Sequence, residues 1–406
     1  MVRPLLVPVV VLSISAGCAA SERSTTHVDT LQGGVLAVRT DQPMWKDSTE
    51  SWSVVEEVRY GGDEGSPGEL LDPQSFAADN AGRLYVLDSK PSIVKVYAPD
   101  GTFLRTMGRE GSGPGEFRVG FIATRGDRIA LHDPAQGRTS VFDTSGTFLK
   151  SAVTFCCYWG DIAIDTLMRI VLPAFLVAKR GEEPTRGAPY ARYHLDLTPI
   201  DTFWVPDTST EVLWTFISRE PDGRQLARIS MVVPWTPRAE HALHPWGGVV
   251  RGVTNAYRIV RAPGGSDSTW VASRPWTGEP IPEAVRAARA ELAVKAATPS
   301  VGEDRARQVA RVDDIPATAP AFTRLAVDED GNIWAHQLLG SDSTQSTFDV
   351  LDKSGAWLGT LRLPYAVEDY GGAFFGRGVI YIKTENEDGR PAIVRVRVTP
   401  SQVRRN

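Results

Sequence analysis

The sequence has few cysteines and histidines, and no long apolar run beyond its first residues. Three cysteines and six histidines occur in 406 residues. Cys156 and Cys157 are adjacent, and adjacent cysteines rarely form a disulfide because the bond strains the peptide between them. No disulfide framework is therefore expected, and we interpret these two thiols as buried and free at the start of a strand. A vicinal redox pair and a metal site are the alternatives.

Positive charge is not in excess either. The formal net charge is −5. Without a leader that contains Arg3, 43 basic residues stand against 49 acidic residues, and the net charge becomes −6. This balance argues against a nucleic-acid partner and against a general surface for anionic membranes. The content of 42% hydrophobic and 23% charged residues is typical of a folded soluble protein.

The first residues are arranged like a secretory signal. One positive charge precedes an apolar run at residues 5–14, which is too short to span a bilayer. Ser15-Ala16-Gly17-Cys18 then resembles the bacterial lipobox, with serine where leucine is usual. The resemblance implies removal of residues 1–17 and lipid (palmitate) attachment to Cys18. Ordinary signal cleavage near Ala16 or Ala20 is the alternative.

Residues 18–50 are predicted to be the lipidated cysteine and a tether, because they are rich in Ser, Thr and Asp. Within them, residues 34–38 have the composition of a strand. Ala19 stands where an aspartate favours inner-membrane retention in some bacteria, which favours the outer membrane. The expected location is the extracytoplasmic side of the cell envelope, with the lipid as the sole membrane contact. Residues 401–406 are predicted to be a tail.

An internal repeat organises the rest of the chain. Adding 45 to residue numbers aligns Phe76 with Phe121, Asp88 with Asp133 and Gly101 with Gly146. Each unit contains short runs of β-branched and aromatic residues separated by turn sequences. About four strands every 45 residues is the spacing of a β-propeller blade.

Four further units complete the predicted ring. A third begins near residue 162, a fourth near 239, a fifth near 325 and a sixth near 371. The sixth lacks an outer strand, and the alternating segment around Val54 is predicted to supply it. Residues 210–235 are predicted to be an inserted hairpin, and residues 280–312 a helical insertion between two blades. The prediction is an all-β, six-bladed β-propeller over residues 51–400.

These units resemble the NHL-repeat six-bladed β-propellers, and among them a bacterial lipoprotein. The resemblance is carried by GSGPGEF at 111–117, DNAGRLYVLDS at 79–89 and VYAPDGTFLRTMG at 96–108. It implies a scaffold whose chemistry lies in its loops and at its central channel. Some amidating lyases of this repeat family bind zinc through histidines from different blades.

Five polar residues are candidates for ligand binding, each with a structural alternative. Asp88 and Asp133 recur at one blade position, where a carboxylate also caps the loop that leaves a strand. His132 and His336 share the position of Leu87, on second strands of blades that lie nearly across the ring. His241 and His244 are both placed on an innermost strand; three residues apart, they face opposite sides and do not easily share a metal.

Two apparent motifs are not supported by the residues or the secondary structure around them. Asp328, Asp330 and Asn332 begin like a calcium loop, but isoleucine stands where that loop requires glycine, so a β-turn is the better interpretation. Ser92 and Lys95 match S-x-x-K, yet their segment is predicted to be a strand rather than a helix. No catalytic set, metal site or cofactor is predicted.

Two functions from different classes remain open. The first is an anchored extracytoplasmic propeller that binds a small molecule, glycan, peptide or envelope protein. The second is a metal-dependent, lactonase-like hydrolase or lyase with its site at the axial channel. A structural subunit of an envelope assembly is a third interpretation. The insertions at 180–190, 210–235 and 277–320 are the best pointers to the functional surface, since an idealised propeller does not need them.

Overall fold

The computed structural model describes residues 26–46, 50–154, 161–174, 186–220, 222–264, 268–338, 344–368 and 371–400. Six sheets of four or more strands are arranged in chain order, and each contains three or four successive antiparallel strands. This architecture confirms the prediction of a six-bladed β-propeller.

The strand bounds follow the chain. Three strands precede the first blade: β1 (Thr26–Thr30), β2 (Leu36–Thr40) and β3 (Ser53–Tyr60). Blade 1 contains β4 (Pro73–Ala78), β5 (Leu84–Ser89), β6 (Ser92–Tyr97) and β7 (Phe103–Met107), and a short ladder of β8 (Arg109–Glu110) and β9 (Glu116–Phe117) follows it. Blade 2 contains β10 (Phe121–Arg125), β11 (Arg128–Asp133), β12 (Arg138–Asp143) and β13 (Phe148–Val153). Blade 3 contains β14 (Ala163–Ile164), β15 (Ile170–Pro173), β16 (Gly187–Tyr193) and β17 (Pro199–Pro206).

The second half adds a hairpin and two helices to the blades. The hairpin consists of β18 (Leu213–Arg219) and β19 (Gln225–Val232). Blade 4 contains β20 (Ala239–Leu243), β21 (Val249–Val253), β22 (Arg258–Ala262) and β23 (Trp270–Ser273), and helices α1 (Glu283–Val301) and α2 (Glu303–Val309) follow it. Blade 5 contains β24 (Arg324–Val327), β25 (Ile333–Gln337), β26 (Ser346–Leu351) and β27 (Trp357–Leu363), and blade 6 contains β28 (Ala373–Phe375), β29 (Val379–Glu385) and β30 (Pro391–Thr399).

Strand β3 closes the ring, as predicted from the missing outer strand of blade 6. It pairs antiparallel with β30, and Val54 lies opposite Val398. Glu57 on β3 also accepts hydrogen bonds from Arg395 and Arg397 on β30. Blade 6 is therefore completed by a strand that precedes blade 1 in the chain.

The predicted tether at 18–50 is wrong for residues 26–46, which are part of the fold. Strand β2 joins the outer edge of blade 4 by pairing parallel with β23, and β1 pairs with β2. Val38 is buried there, and Trp45 is buried against blades 5 and 6. Burial of these two apolar side chains removes them from water and stabilises the segment, although its composition is mostly polar.

Helix α1 runs to Val301, two residues beyond Pro299. Pro299 has no N–H to donate to the Lys295 carbonyl, so the last turn of the helix lacks one backbone hydrogen bond. Gly302 then ends the helix with φ +80°, and its N–H donates to the Thr298 carbonyl at 2.9 Å.

An aspartate organises the turn between the innermost and second strands in three blades. Asp79, Asp165 and Asp328 each accept the backbone N–H groups two and four residues ahead. The turn needs a left-handed residue before the second strand, and Gly82 and Gly331 supply it in blades 1 and 5. The β-turn interpretation of residues 328–332 is thereby confirmed.

The three insertions leave the propeller on one face. The strands of a blade alternate in direction. The second and the fourth strand therefore both end on the side of the ring where the innermost strands begin. Connections 174–186, 207–238 and 274–323 all start from these ends. We call this side the insertion face; on the opposite side, the turn face, short turns join the innermost and second strands.

Two of the insertions pack together into one unit, here called the cap. Trp214 and Phe216 of the hairpin are buried against Ala290 and Val294 of α1. The Trp214 indole N–H donates to Asp314, beyond α2, at 2.9 Å. The stems of both insertions also meet at Thr254 in the β21–β22 turn of blade 4. The cap thus has an apolar core of its own, held over blade 4.

Candidate functional site

The axial channel is too small for most organic ligands. Innermost strands of all six blades line a cavity of 170 Å³, and its walls combine apolar side chains such as Phe76 and Ile122 with polar ones such as Arg324. Typical ligand pockets have volumes of about 300–1,000 Å³. The axial cavity therefore falls below the size expected of a ligand site.

An ion pair closes the turn-face end of this cavity. Arg125 of blade 2 bonds to Glu329 of blade 5 at 2.6 Å, and its Nε donates to the Ile164 carbonyl at 2.6 Å. The two side chains are only 14% and 24% exposed. Beyond the pair lies a second cavity of 350 Å³, lined also by Asn80 and Arg377. Arg125 and Glu329 line both cavities and therefore lie between them.

A third cavity opens on the insertion face between blades 3 and 4. It has a volume of 310 Å³, and we call it the interblade groove. Residues 187–188 and 205–208 line it from blade 3, and residues 239–241, 251–253, 255–256, 258 and 260 line it from blade 4. The apolar cluster between these two blades has only six buried residues, fewer than any other interblade cluster among the described residues.

A row of basic side chains crosses the blade-4 wall of the groove. His241 on β20 lies directly opposite Arg251 on β21, and Arg251 lies opposite Val260 on β22. Arg258 is two residues before Val260 and therefore projects from the same side of the strand. Strand pairing thus places His241, Arg251 and Arg258 on one wall.

His241 is held in place by blade 3. Its Nε2 lies 2.7 Å from the Tyr190 hydroxyl, and the two rings meet edge to face. Burial lowers the pKa of His241, and nearby Asp161 opposes that shift only in part. The imidazole is therefore neutral near pH 7. Of the five predicted candidates, His241 lines the groove; Arg251 and Arg258 were missed, since their proximity depends on strand register.

The paired histidines His132 and His336 occupy second strands, as predicted, and do not line the three cavities described above. His132 Nδ1 lies 3.0 Å from the Thr139 hydroxyl. His336 contacts the hydroxyls of Thr323 and Ser346 at 2.7 and 3.2 Å. Burial lowers the pKa of His132 to about 4, so its ring is neutral at pH 7.

The recurrent aspartates hold loops at the ends of second strands. Asp88 accepts the backbone N–H groups of Leu71 and Asp72 at 2.9 and 2.7 Å, and it is 2.9 Å from the Lys95 ammonium. Asp133 accepts backbone N–H groups from Arg118 and from two residues after its own strand. These contacts are those of a loop-capping carboxylate.

The remaining candidates are separated from one another. His244 follows β20 on the turn face, where its Nδ1 accepts the Trp246 N–H at 3.1 Å. Ser92 and Lys95 lie on strand β6, and the Ser92 hydroxyl donates to the Arg118 carbonyl rather than to Lys95. Among the described residues, no three His, Cys, Asp or Glu side chains are grouped closely enough to hold a metal ion.

Some predicted features lie outside the described residues. These are the signal peptide, Cys18, Cys156, Cys157, the tail at 401–406 and most of the insertion at 180–190. Within the described part of the chain, no helix combines the length and apolar character that crossing a membrane requires.

Comparison with known proteins gives similar structures but no family. No family model matches the chain, and no curated protein matches it. The NHL-repeat resemblance therefore stays a prediction.

Three solved structures illustrate the likeness. A DUF4221-family member from Bacteroides vulgatus is 9% identical, with a TM-score of 0.48, over 87% of this chain and 100% of its own. A protein from Bacteroides fragilis is 14% identical, with a TM-score of 0.45, over 89% and 99%. Virginiamycin B lyase from Staphylococcus aureus is 9% identical, with a TM-score of 0.39, over 85% and 99%. The class of this protein, a six-bladed β-propeller, rests on its own sheets, and none of these proteins' activities is carried over to it.

Proposed function

We propose that this protein is a lipid-anchored extracytoplasmic β-propeller that binds a ligand in the interblade groove. The observation that carries the proposal is the position of the groove. It opens on the insertion face, its volume lies within the range of ligand pockets, and it adjoins the stem of the 207–238 insertion. Loops held on a rigid scaffold are where binding residues concentrate.

The groove walls supply the elements of a binding site. Blade 3 contributes backbone and small side chains at Gly187 and Ala188, and blade 4 contributes the basic row. Thr254, at the groove rim, is tied to both insertion stems, because it bonds with Arg238 and accepts the Ala321 N–H. The cap therefore fixes the loop that borders the groove.

The position of the proposed lipid anchor follows from the short distance along the chain between Cys18 and the first residue of β1. Since β2 runs parallel to β23 towards the insertion face, the antiparallel β1 begins at that face, on the outer edge of blade 4. Seven residues lie between Cys18 and Thr26, and the eight Cα–Cα steps that join them span at most about 28 Å when the chain is extended. A lipid on Cys18 would hold the blade-4 rim of the insertion face near the membrane.

The alternative of a metal-dependent hydrolase at the axial channel has no observation in its favour among the described residues. The carboxylates lining the axial cavity are Asp161 and Glu329, and Glu329 is paired with Arg125. No histidine lines that cavity in the described part of the chain.

The anchor is tested by labelling cells with palmitate. We expect the wild-type protein to incorporate label and to fractionate with membranes, and Cys18→Ser to do neither. Cys156→Ser is the matched control and should retain the label. An unlabelled wild-type protein would contradict the anchor.

Binding is tested by native mass spectrometry of the full chain extracted in detergent. We expect a retained ligand mass in the wild-type protein that is lost in Asn255→Trp, because Asn255 is exposed on the groove rim. Asn80→Trp, which fills the turn-face cavity instead, is the control. Loss of the ligand in Asn80→Trp but not in Asn255→Trp would place binding on the wrong face for this proposal.

A further inference from the structure

The hairpin of the cap has two unlike faces. Its inner face carries Trp214 and Phe216, which are buried against helices α1 and α2. Side chains alternate along a strand, so the neighbours of these two residues point away from the helices. Strand β18 therefore presents Leu213 on the outer face, and strand β19 presents Leu226 and Val232 there.

The outer face of the hairpin exposes large apolar side chains. Leu213, Leu226 and Val232 are between 41% and 58% exposed, and Leu213 lies directly opposite Val232. Thr215 and Ser230 come next along the strands, and their hydroxyl oxygens lie 3.3 Å apart, within hydrogen-bonding distance. Single exposed apolar residues are ordinary on soluble proteins, whereas several on one face of one element indicate a contact surface.

The cap lies near the start of β1, from which the chain leads back to Cys18. The stems of the cap meet at Thr254, in the turn between β21 and β22. From β22 the sheet of blade 4 continues outward through β23 and β2 to β1. Neighbouring strands are about 4.8 Å apart, so Thr26 lies three strands further out, about 15 Å across the sheet.

The chain between Cys18 and β1 is little longer than the cap is thick. It spans at most about 28 Å, so a membrane that holds a lipid on Cys18 lies no further than this from Thr26. The cap consists of a helical layer and a hairpin layer, each about 10 Å thick. The cap therefore takes up most of the space between blade 4 and such a membrane.

We infer that the outer face of the cap hairpin rests on the membrane surface, as a second contact beside the lipid on Cys18. This inference rests on the proposed lipid anchor and replaces the expectation that the lipid is the sole membrane contact. Leu213 and Leu226 enter the boundary between headgroups and acyl chains, where amphipathic surfaces bind. The two-stranded hairpin has unpaired backbone groups along its edges, so it goes no deeper than this boundary.

The test places the environment-sensitive fluorophore NBD on single cysteines of the full, lipidated chain in vesicles of phosphatidylethanolamine and phosphatidylglycerol. Lipid blocks the thiol of Cys18, and Cys156→Ser with Cys157→Ser removes the competing thiols. The label is attached to Leu226→Cys or, as the matched control, to Leu167→Cys. Leu167 is a similarly exposed apolar residue, but it lies in the β14–β15 turn on the turn face.

On vesicles, we expect the label at position 226 to shift its emission to the blue and to lose quenching by iodide. The label at position 167 should do neither. Added sodium chloride should leave the shift unchanged, because burial of apolar side chains rather than charge holds this face on the bilayer.

Hydrogen exchange provides a second measurement that needs neither a label nor removal of Cys156 and Cys157. The wild-type protein on vesicles is compared with the unlipidated Cys18→Ser protein in solution. Peptides that cover β18 and β19 should exchange more slowly on the membrane, whereas the turn that contains Leu167 should exchange at the same rate in both. Equal exchange of the hairpin in the two states would overturn the inference.

The outcomes separate this inference from the proposed function. If Cys18 carries palmitate but the label at position 226 stays in water, the anchor stands and the inference is wrong. A shift at position 167 instead would turn the opposite face to the membrane and overturn it as well. A shift at position 226 in the Cys18→Ser protein without vesicles, growing with protein concentration, would assign the hairpin face to a second copy of this chain. If Cys18 carries no lipid, the proposed anchor and this inference both fail.

Discussion

At the scale of single residues, the buried polar groups of this propeller serve mainly to hold loops and strands. Lys95 is 9% exposed, and its ammonium is shared between Asp88 and the Glu69 carbonyl. Asp88 in turn holds the loop before β4 through two backbone N–H groups. Such a carboxylate is as recognisable in sequence as a catalytic one, and its bonding partners are what distinguish the two roles.

Buried neutral histidines make stability depend on pH. Burial lowers the pKa of His132 to about 4, and burial with the nearby Arg261 lowers the pKa of His244 to about 3. In the unfolded chain a histidine has a pKa of about 6.5. Below that pH the unfolded state binds a proton that the folded state does not, so the free energy of unfolding falls as pH falls from about 6.5 to 4.

We expect His132 alone to account for about 2 kcal/mol of the stability lost between pH 6.5 and 5. His132→Asn retains a polar atom near Thr139 but cannot bind a proton, so its stability should decline less over this range. Urea unfolding at several pH values measures the slope. The exposed His27→Asn is the control, and a slope in His132→Asn equal to that of the wild type would contradict the prediction.

At the scale of elements, local sequence predicts strands well and the partners of those strands less well. The 45-residue offset aligns Phe76 with Phe121 and Asp88 with Asp133, so blades 1 and 2 follow directly from the repeat. Strand β3 was predicted because blade 6 lacked an outer strand. Strands β1 and β2 were placed in a tether, since parallel pairing with β23 has no local signature.

The residues of the candidate site were likewise predicted only in part, because their proximity depends on strand pairing. His241 was placed correctly on an innermost strand, because its unit aligns with the repeat. Arg251 and Arg258 are separated by a turn, and the sequence alone does not show that both line a groove against blade 3. The cap was likewise predicted as two insertions, because its shared core joins residues about 80 apart in the chain, such as Trp214 and Val294.

The cap supports a prediction about Trp214. This side chain is 3% exposed and joins the hairpin to α1 and Asp314. Trp214→Ala should destabilise the cap by about 3–5 kcal/mol, through lost burial and the cavity that remains. If the cap is one cooperative unit, helices α1 and α2 should lose hydrogen-exchange protection together with the hairpin, whereas the blades keep theirs. Leu226→Ala, on the exposed side of the hairpin, is the control, and unchanged exchange in α1 would contradict a shared cap core.

At the scale of the whole molecule, the two faces of the ring differ in construction. The insertion face has long connections, the cap and the interblade groove, while the turn face has short aspartate-organised turns around the axial mouth. Arg125 and Glu329 join opposite blades at this mouth. The pair therefore acts across the ring, whereas most other contacts join neighbouring blades.

A double-mutant cycle tests this role of the pair. Removing one partner leaves a largely buried charge without its counter-charge, so Arg125→Met and Glu329→Leu should each cost about 2 kcal/mol, somewhat less than a fully buried pair. The double variant replaces both charges with apolar groups beside Phe374, and it should recover to within about 1 kcal/mol of the wild type. Urea denaturation of the four proteins gives the coupling energy.

The exposed pair Arg307 and Glu291, whose side chains are 49% and 56% exposed, supplies the comparison for that cycle. It joins α2 to α1 on the surface of the cap, where water screens both charges, and the same four substitution states should show little coupling. Equal coupling in the two cycles would mean that burial at the axial mouth adds nothing to the attraction. Strong coupling at Arg125 and Glu329 alone would mean that burial at the axial mouth strengthens the attraction of this pair, which then stabilises the ring across its axis.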